Sequence, residues 1–290
     1  MQGEHPYALG SVLFDVLNRG AIDATLAQAN TYEVDLAIAH LAHTQRDDLL
    51  LMDRNYPSYR MLATLLKTER DFAIRCSAGS FSAARRMLKG DSANSQIVTL
   101  TPCAEQMPMI RASGLPETLM VRFVRVLLST GEFEVLVTSL LDETLYPTYD
   151  FLALYGLRWG IESFYGLIKT RLTLENFTGL GVEAVKQDFY ATIYRSGLES
   201  ILTGTAQTIL DAKDTQYPQK VNRAVSFNAI KTQAFTLLMS DMATDVIFQQ
   251  LTAMFLKNPC LERKDSNPPH KKSSATVLLN YHKRLKKQCF

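Results

Sequence analysis

The segment from Tyr155 to Lys169 carries four polar side chains at fixed spacing: Tyr155, Arg158, Glu162 and Lys169. In a helix, which advances by about 100° per residue, these four fall within an arc of about 60°. A neighbouring stripe of the same helix is apolar and consists of Leu154, Leu157, Ile161, Phe164 and Ile168. The pattern therefore predicts one helix with an apolar side for a core and an adjacent line of phenol, carboxylate and cations. Such a line suits a site where a metal ion and a phosphodiester meet.

An ordinary surface helix would also place Arg158 and Glu162 four residues apart, and such exposed pairs contribute little to stability. The complete string Tyr-x2-Arg-x3-Glu-x6-Lys is more specific than that pair. It resembles the Tyr-Arg-Glu-Lys signature of insertion-sequence DDE transposases, the subgroup typified by insertion sequence four. The remaining interpretation, an unrelated helical interaction protein, treats this spacing as a coincidence.

A second segment supports the resemblance. The apolar run Leu49–Met52 ends at Asp53, and Pro57 precedes a helical pattern that contains Met61 and Leu65. A short apolar run that ends in turn residues predicts a buried strand, so Asp53 is expected at its carboxyl end. An aspartate there is often only a turn residue. Strand, Asp-Arg-x-aromatic-Pro-Ser and helix nevertheless resemble the context of the second catalytic aspartate in this transposase family.

The resemblance implies roles for individual residues. Asp53 and Glu162 would be catalytic metal ligands for Mg²⁺ (or Mn²⁺), which prefers carboxylate oxygens. Arg158 and Lys169 would hold DNA phosphates, and Tyr155 would bind a phosphate or position the strand end. The sole tryptophan, Trp159, would stack on a displaced base, or would instead belong to the core. The implied partners are double-stranded DNA, both transposon ends and target, and a second copy in a homodimer assembled on that DNA.

The family uses three carboxylates, and the first lies on the first strand of an RNase H-like sheet. This sequence instead opens with a predicted hairpin, Tyr7–Leu17 and Ala21–Leu26, which resembles the second and third strands of that sheet. We therefore expect an N-terminally truncated or frameshifted transposase that is impaired in catalysis. Asp15 and Asp23 are the alternative candidates for the first carboxylate. The alternative function is a non-enzymatic DNA-binding remnant that interferes with a full-length transposase.

The resemblance and the patterning predict an α/β fold, an RNase H-like core whose first strand is missing, with a β-rich insertion and C-terminal helices. The predicted parts are the first part of the core (1–76), the insertion (77–147), the helical second part (148–256) and a basic arm (257–290). The arm holds nine Lys or Arg and two acidic residues, whereas residues 1–256 hold 22 and 27. A basic arm suits salt-sensitive contact with the DNA backbone, or serves only for solubility.

Composition narrows the class of protein further. The chain has 290 residues, 47% of them hydrophobic and 21% charged, as expected of a globular protein. It has no apolar run near the roughly 18 residues that a membrane span needs, and no signal peptide pattern. The expected compartment is the bacterial cytoplasm. The four cysteines are scattered, so no zinc site is predicted, and His40 and His43 are interpreted as part of a surface helix.

Overall fold

The computed structural model describes residues 8–128, 130–174, 176–179 and 181–262. The chain divides into two compact units. The first comprises residues 1–16 and 22–165, and the second comprises residues 17–21 and 166–290. Among the helices of the described ranges, none is long and apolar enough to cross a membrane. Most of the predicted arm, residues 263–290, lies outside the described residues.

The strands of the first unit are β1 (Ala8–Asp15), β2 (Gly20–Gln28), β3 (Leu49–Met52), β4 (Asp71–Cys76), β5 (Ser95–Leu100), β6 (Leu119–Leu127) and β7 (Phe133–Thr138). Its helices are α1 (Glu33–His40), α2 (Tyr59–Lys67), α3 (Ser82–Lys89), α4 (Met107–Ala112), α5 (Asp150–Gly156) and α6 (Trp159–Gly166). Among the described residues, five strands form a mixed sheet in the order β3-β4-β7-β6-β5. Only β3 and β4 are parallel, with Leu51 opposite Ala73. This sheet confirms the mixed α/β class.

The two faces of this sheet are buried by different helices. Because side chains alternate along a strand, Phe72 and Ile74 point to one face while Ala73 and Arg75 point to the other. The first face packs against apolar residues of α1 to α4, such as Leu62 and Met87. The second face carries Leu51, Ala73 and Leu136, which pack against Phe151 and Tyr155 of α5. The face under α5 is therefore the one that leads to the predicted site.

The first two strands form the predicted hairpin. Strands β1 and β2 pair with each other in a two-stranded sheet. Strands β5 to β7, which lie in the predicted insertion, belong to the same sheet as β3 and β4. The proposed division into four parts, and the comparison of the core with RNase H, remain predictions.

The second unit is mostly helical. Its helices are α7 (Val182–Asp211), α8 (Arg223–Met239) and α9 (Thr244–Lys257), and its short strands are β8 (Gln219–Lys220) and β9 (Cys260–Leu261). The three helices share an apolar core that contains Leu202, Ala206, Ile230, Leu251 and Phe255. A π-helical segment, Leu167–Arg171, precedes α7 and carries Lys169.

One buried arginine of β6 organises the connection between the sheet and α5. Arg122 is fully buried, and its Nε donates to Ser95 Oγ at 2.8 Å. Its other nitrogens donate to the carbonyl of Tyr146 at 2.6 Å and to Thr148 Oγ1 at 3.2 Å. The guanidinium carbon also lies 5.4 Å from the ring of Phe151, in the first turn of α5. Since these contacts join a fully buried guanidinium to three half-buried partners, Arg122 fixes the loop that starts this helix.

We expect Arg122→Ala to lower the free energy of unfolding by about 3 kcal/mol, because several half-buried acceptors lose a charged donor and a large buried side chain is removed. Urea denaturation followed by circular dichroism measures this change. Arg111→Ala is the matched control, since Arg111 forms an exposed ion pair with Glu117. A denaturation midpoint for Arg122→Ala close to that of the control would contradict the assigned role.

Candidate active site

Asp53 directly follows β3, at the carboxyl end of the parallel pair. Its carbonyl accepts from the Tyr56 backbone at 3.1 Å, and its Oδ1 accepts from the Arg54 backbone at 2.7 Å. Ser58 then caps α2 by accepting a hydrogen bond from Met61 N. The predicted order of strand, Asp53, turn and helix is therefore present. The turn holds the Asp53 carboxylate at the edge of the sheet.

The Tyr155–Lys169 segment is not the single regular helix that the sequence predicts. Helix α5 ends at Gly156 and α6 begins at Trp159. Between them the backbone hydrogen bonds are i→i−3, from Leu157 to Leu154 at 3.2 Å and from Arg158 to Tyr155 at 3.0 Å. Such 3₁₀ geometry has about three residues per turn, so residues 155 and 158 are eclipsed. The regular helical period of 3.6 residues per turn is therefore interrupted at this junction.

The tighter turn reverses the predicted burial. Tyr155 and Arg158, expected on the polar line, are 5% and 7% exposed. Leu157, expected in the apolar stripe, is 44% exposed. The prediction of an uninterrupted apolar stripe was therefore wrong at Leu157, although Phe164 and Ile168 are buried.

The α6 helix is anchored against the first hairpin strand and the residue that follows it. The Phe14 and Phe164 rings lie 4.7 Å apart. A Cβ added at Gly160 would meet Val16 at 3.4 Å, so a small residue suits this close approach. These contacts fix the helix that presents Glu162.

Arg158 links the two predicted carboxylates. Its Nη1 donates to Glu162 Oε1 at 2.8 Å, and the guanidinium lies within electrostatic range of Asp53. Burial lowers the pKa of Arg158, but interactions with Tyr155, Glu162 and Asp53 outweigh it and raise the pKa overall. Its Nε is buried and has no hydrogen-bond partner among the described residues. The geometry thus pairs Arg158 with Glu162 within electrostatic range of Asp53 and leaves its buried Nε unpaired among the described residues.

Tyr155 fastens this helix to the strand that ends at Asp53. Its hydroxyl donates to the Met52 carbonyl at 3.2 Å. Burial is the largest cause that raises the pKa of Tyr155; Arg158 lowers it and Asp53 raises it. The hydroxyl is therefore neutral over the physiological range and is used inside the protein. Whether Tyr155 also contacts a DNA strand remains a prediction.

The other two predicted DNA contacts lie on different parts of the segment. Trp159 is 60% exposed, so the alternative that it belongs to the core was wrong. Its ring lies 5.2 Å from the guanidinium carbon of Arg158. Lys169 lies in the second unit, on the π-helical segment, with an exposed side chain.

The candidates for the first carboxylate have different surroundings. Asp15 ends β1. Asp23 Oδ2 lies 2.6 Å from Nδ1 of His40, whose Nε2 lies 3.0 Å from Ser11 Oγ. Burial raises the pKa of Asp23, but His40 and the other hydrogen bonds lower it overall. His40 is buried, so its prediction as a surface residue was wrong; His43 is exposed.

The sequence interpretation missed an ion pair beside Asp53. Arg75 Nη2 lies 2.8 Å from Glu134 Oε1, and Glu134 is buried. Both side chains interact electrostatically with Tyr155, as Asp53 does. Arg75 lies on β4 and Glu134 on β7, and only the sheet pairing brings them to one place. Their sequence signal was slight: a charge near the end of each apolar run.

The donor set has the chemistry of part of a divalent metal site. Asp53 and Glu162 offer carboxylate oxygens, the ligands that Mg²⁺ and Mn²⁺ favour. Arg158 pairs with Glu162 and interacts electrostatically with Asp53. No cluster of three His, Cys, Asp or Glu side chains suited to a metal occurs within the described residues. The two carboxylates therefore fit the ion but require a further ligand.

A sequence model of the family described as the transposase DDE domain matches residues 9–193. The chain belongs to this DDE transposase family. The match includes Asp53 and the complete Tyr155–Lys169 segment of the transposase domain. A search of curated proteins finds no match to the chain.

We expect the free energy of unfolding of Tyr155→Phe to decrease less at alkaline pH than that of the wild type. The folded protein keeps Tyr155 protonated, whereas the unfolded chain ionises it near its ordinary pKa of about 10. The stabilisation is therefore complete below that value and decreases as pH rises above it. Urea denaturation between about pH 8 and 11 should give a shallower decline for Tyr155→Phe than for the wild type.

Tyr149→Phe is the control, because Tyr149 is exposed. A decline for Tyr155→Phe as steep as for this control would show that Tyr155 ionises like an exposed tyrosine.

Proposed function

We propose that this DDE transposase is the transposase of an insertion sequence, with metal-dependent DNA cleavage and strand transfer at Asp53 and Glu162. The observation that carries the proposal is the convergence of Arg158 with both carboxylates at the end of β3. Carboxylates and a buried guanidinium with an unused donor match a phosphodiester substrate. The chemistry therefore agrees with the family to which the chain belongs.

Each residue has one role in this proposal. Asp53 and Glu162 would hold Mg²⁺ (or Mn²⁺), which when bound supplies Lewis-acid activation of the attacking oxygen and stabilises the leaving oxygen. Arg158 would exchange its contact with Glu162 for a DNA phosphate and use its Nε as a second donor. Tyr155 holds the signature helix on β3 through the Met52 carbonyl. Exposed Trp159 would stack on a displaced base, and Lys169 would bind a phosphate as a point charge.

The finer assignment is to the Tyr-Arg-Glu-Lys subgroup typified by insertion sequence four. The spacing of Tyr155, Arg158, Glu162 and Lys169 supports it. We further propose an RNase H-like core, action on bacterial DNA in the cytoplasm, and a homodimer assembled on the transposon ends. A third carboxylate from outside the described cluster would complete the metal site.

We expect Glu162→Gln and Asp53→Asn each to reduce Mg²⁺-dependent cleavage of a duplex that carries the element's terminal sequence by at least about a hundredfold. Each amide keeps the size of the side chain and removes the charge that binds the metal. Gel analysis of end-labelled duplex measures the cleavage. Glu117→Gln, in an exposed ion pair, is the control. Retained cleavage by either site variant would contradict the assignment.

A second function follows from the resemblance, which implies three carboxylates while only Asp53 and Glu162 are assigned in this sequence. In that case the chain would be a non-enzymatic DNA-binding remnant that interferes with a full-length transposase. The same assay separates the two functions. Cleavage by the wild-type chain supports the enzyme, whereas salt-sensitive binding without cleavage supports the remnant.

We expect removal of residues 263–290 to weaken DNA binding and to lower its dependence on salt. This segment holds eight of the nine basic residues predicted to form the arm. Each phosphate neutralised by the arm would contribute about 0.9 to the slope of log affinity against log salt. Fluorescence anisotropy at several salt concentrations measures that slope. An unchanged slope would leave the arm with a solubilising role only.

A further inference from the structure

Arg75 and Glu134 lie beside Asp53 on the face of the sheet that α5 covers. The parallel register pairs Leu51 with Ala73 and Met52 with Ile74, so Asp53 and Arg75 continue the two strands side by side. Leu51 and Ala73 face α5, and residues two positions later point to the same face. Glu134 lies two residues before Leu136, which also faces α5. All three charges therefore lie at one edge of the sheet.

The pKa of Tyr155 depends on the same charged residues. Arg158, Asp53, Glu134 and Arg75 all interact electrostatically with its hydroxyl. Each of these four charges is therefore near enough to the Tyr155 hydroxyl to affect its pKa. Arg75 therefore belongs to the surroundings of the predicted metal ligands.

The two side chains of the Arg75–Glu134 ion pair differ in exposure. Glu134 is largely buried, with its side chain 10% exposed, whereas the side chain of Arg75 is 32% exposed. A guanidinium has five donors in a fixed fork. The Arg75 Nη2 lies 2.8 Å from Glu134 Oε1, and the parallel register places Arg75 next to Asp53. A buried carboxylate thus orients a partly exposed cation.

Arg122 shows what a purely structural arginine of this sheet is like. It is fully buried, and it donates to Ser95, Tyr146 and Thr148. Arg122 also lies 3.7 Å from the exposed Glu143, whereas Arg75 pairs with the buried Glu134 and is itself partly exposed. The arrangement of Arg75 is that of an anion-binding group held ready by a carboxylate.

We propose that Arg75 is a second phosphate-binding residue of the active site, positioned by Glu134, and that it holds a DNA phosphate adjacent to the one that is cleaved. The inference rests on the proposed function, since its ligand is the DNA of that reaction. Arg158 and Arg75 approach Asp53 from two different elements, the signature segment and β4. Together they would fix the direction of the strand across the site.

The first test compares Arg75→Gln with Arg111→Gln, which also removes one positive charge from an ion pair but at an exposed surface site. Binding to a duplex with the element's terminal sequence is measured with Ca²⁺ in place of Mg²⁺. We expect Arg75→Gln to weaken binding about tenfold and to lower the salt slope by about 0.9. Values equal to those of Arg111→Gln would overturn the proposal.

The second test locates the phosphate. Phosphates near the cleavage position are replaced one at a time by neutral methylphosphonates. At one position, the wild type should lose about tenfold in affinity while Arg75→Gln loses nothing more, because both changes remove the same contact. Additive losses at every position would overturn the proposal.

The third test addresses Glu134. Glu134→Gln raises the net charge by one, so a purely electrostatic effect would tighten DNA binding. A positioning role predicts weaker binding with a lower salt slope, since the Arg75 fork loses its orienting partner. Thermal denaturation confirms that each variant folds before binding is compared. Tighter or unchanged binding by a folded Glu134→Gln would overturn the positioning role.

The experiments distinguish a failure of this inference from a failure of the proposed function. If the wild type cleaves the terminal duplex and Arg75→Gln behaves like Arg111→Gln, only the role of Arg75 is overturned. If the wild type neither binds nor cleaves that duplex, the proposed function fails first, and this inference fails with it.

Discussion

The buried guanidinium of Arg158, paired with Glu162 and within electrostatic range of Asp53, sets the arrangement of the site. Arg158 is almost completely inside the protein, yet it must remain charged, and a buried charge is costly unless it is paired. Glu162 supplies the close partner and Asp53 supplies further negative potential. The segment after α5 and the end of β3 are therefore held together by charge as well as by packing. The same contacts would hold the two carboxylates near each other when a metal ion is absent.

The 3₁₀ turn between α5 and α6 makes that arrangement possible. A regular helix would separate Tyr155 and Arg158 by about 60° around its axis, whereas three residues per turn align them. Tyr155 can then bind the Met52 carbonyl while Arg158 lies above its ring, with the guanidinium carbon 5.4 Å from the ring centre. Leu157 is turned outward as a consequence. Local tightening of the backbone thus converts a sequence signature into a folded site.

Strong local signals allowed parts of the fold to be predicted from the sequence. Strands β4, β6 and β7 are each an apolar run bounded by polar or turn residues, which is a local signal. Asp53 was found because a short apolar run ends at it. The junction at Leu157 was missed because periodicity assumes one helical geometry along the whole segment.

The Arg75–Glu134 pair could not be predicted from spacing. These residues are 59 positions apart, and each has an unremarkable charged side chain within or next to an apolar strand. Only the antiparallel pairing of β4 and β7, with Arg75 opposite Leu136, brings them together beside Asp53. Long-range strand pairing depends on the whole sheet rather than on local sequence. The signature residues were recognisable because their chemistry is clustered along one segment.

Metal-directed cleavage of the polypeptide tests the central claim most directly. Fe²⁺ would replace Mg²⁺ in the complex of the protein with terminal duplex DNA, and radicals generated with ascorbate and peroxide would cut the chain next to the bound ion. The account predicts cuts beside Asp53 and beside Glu162, which disappear with excess Mg²⁺ or in Asp53→Asn. Cuts at other positions, or cuts that persist at full strength in Asp53→Asn, would contradict it.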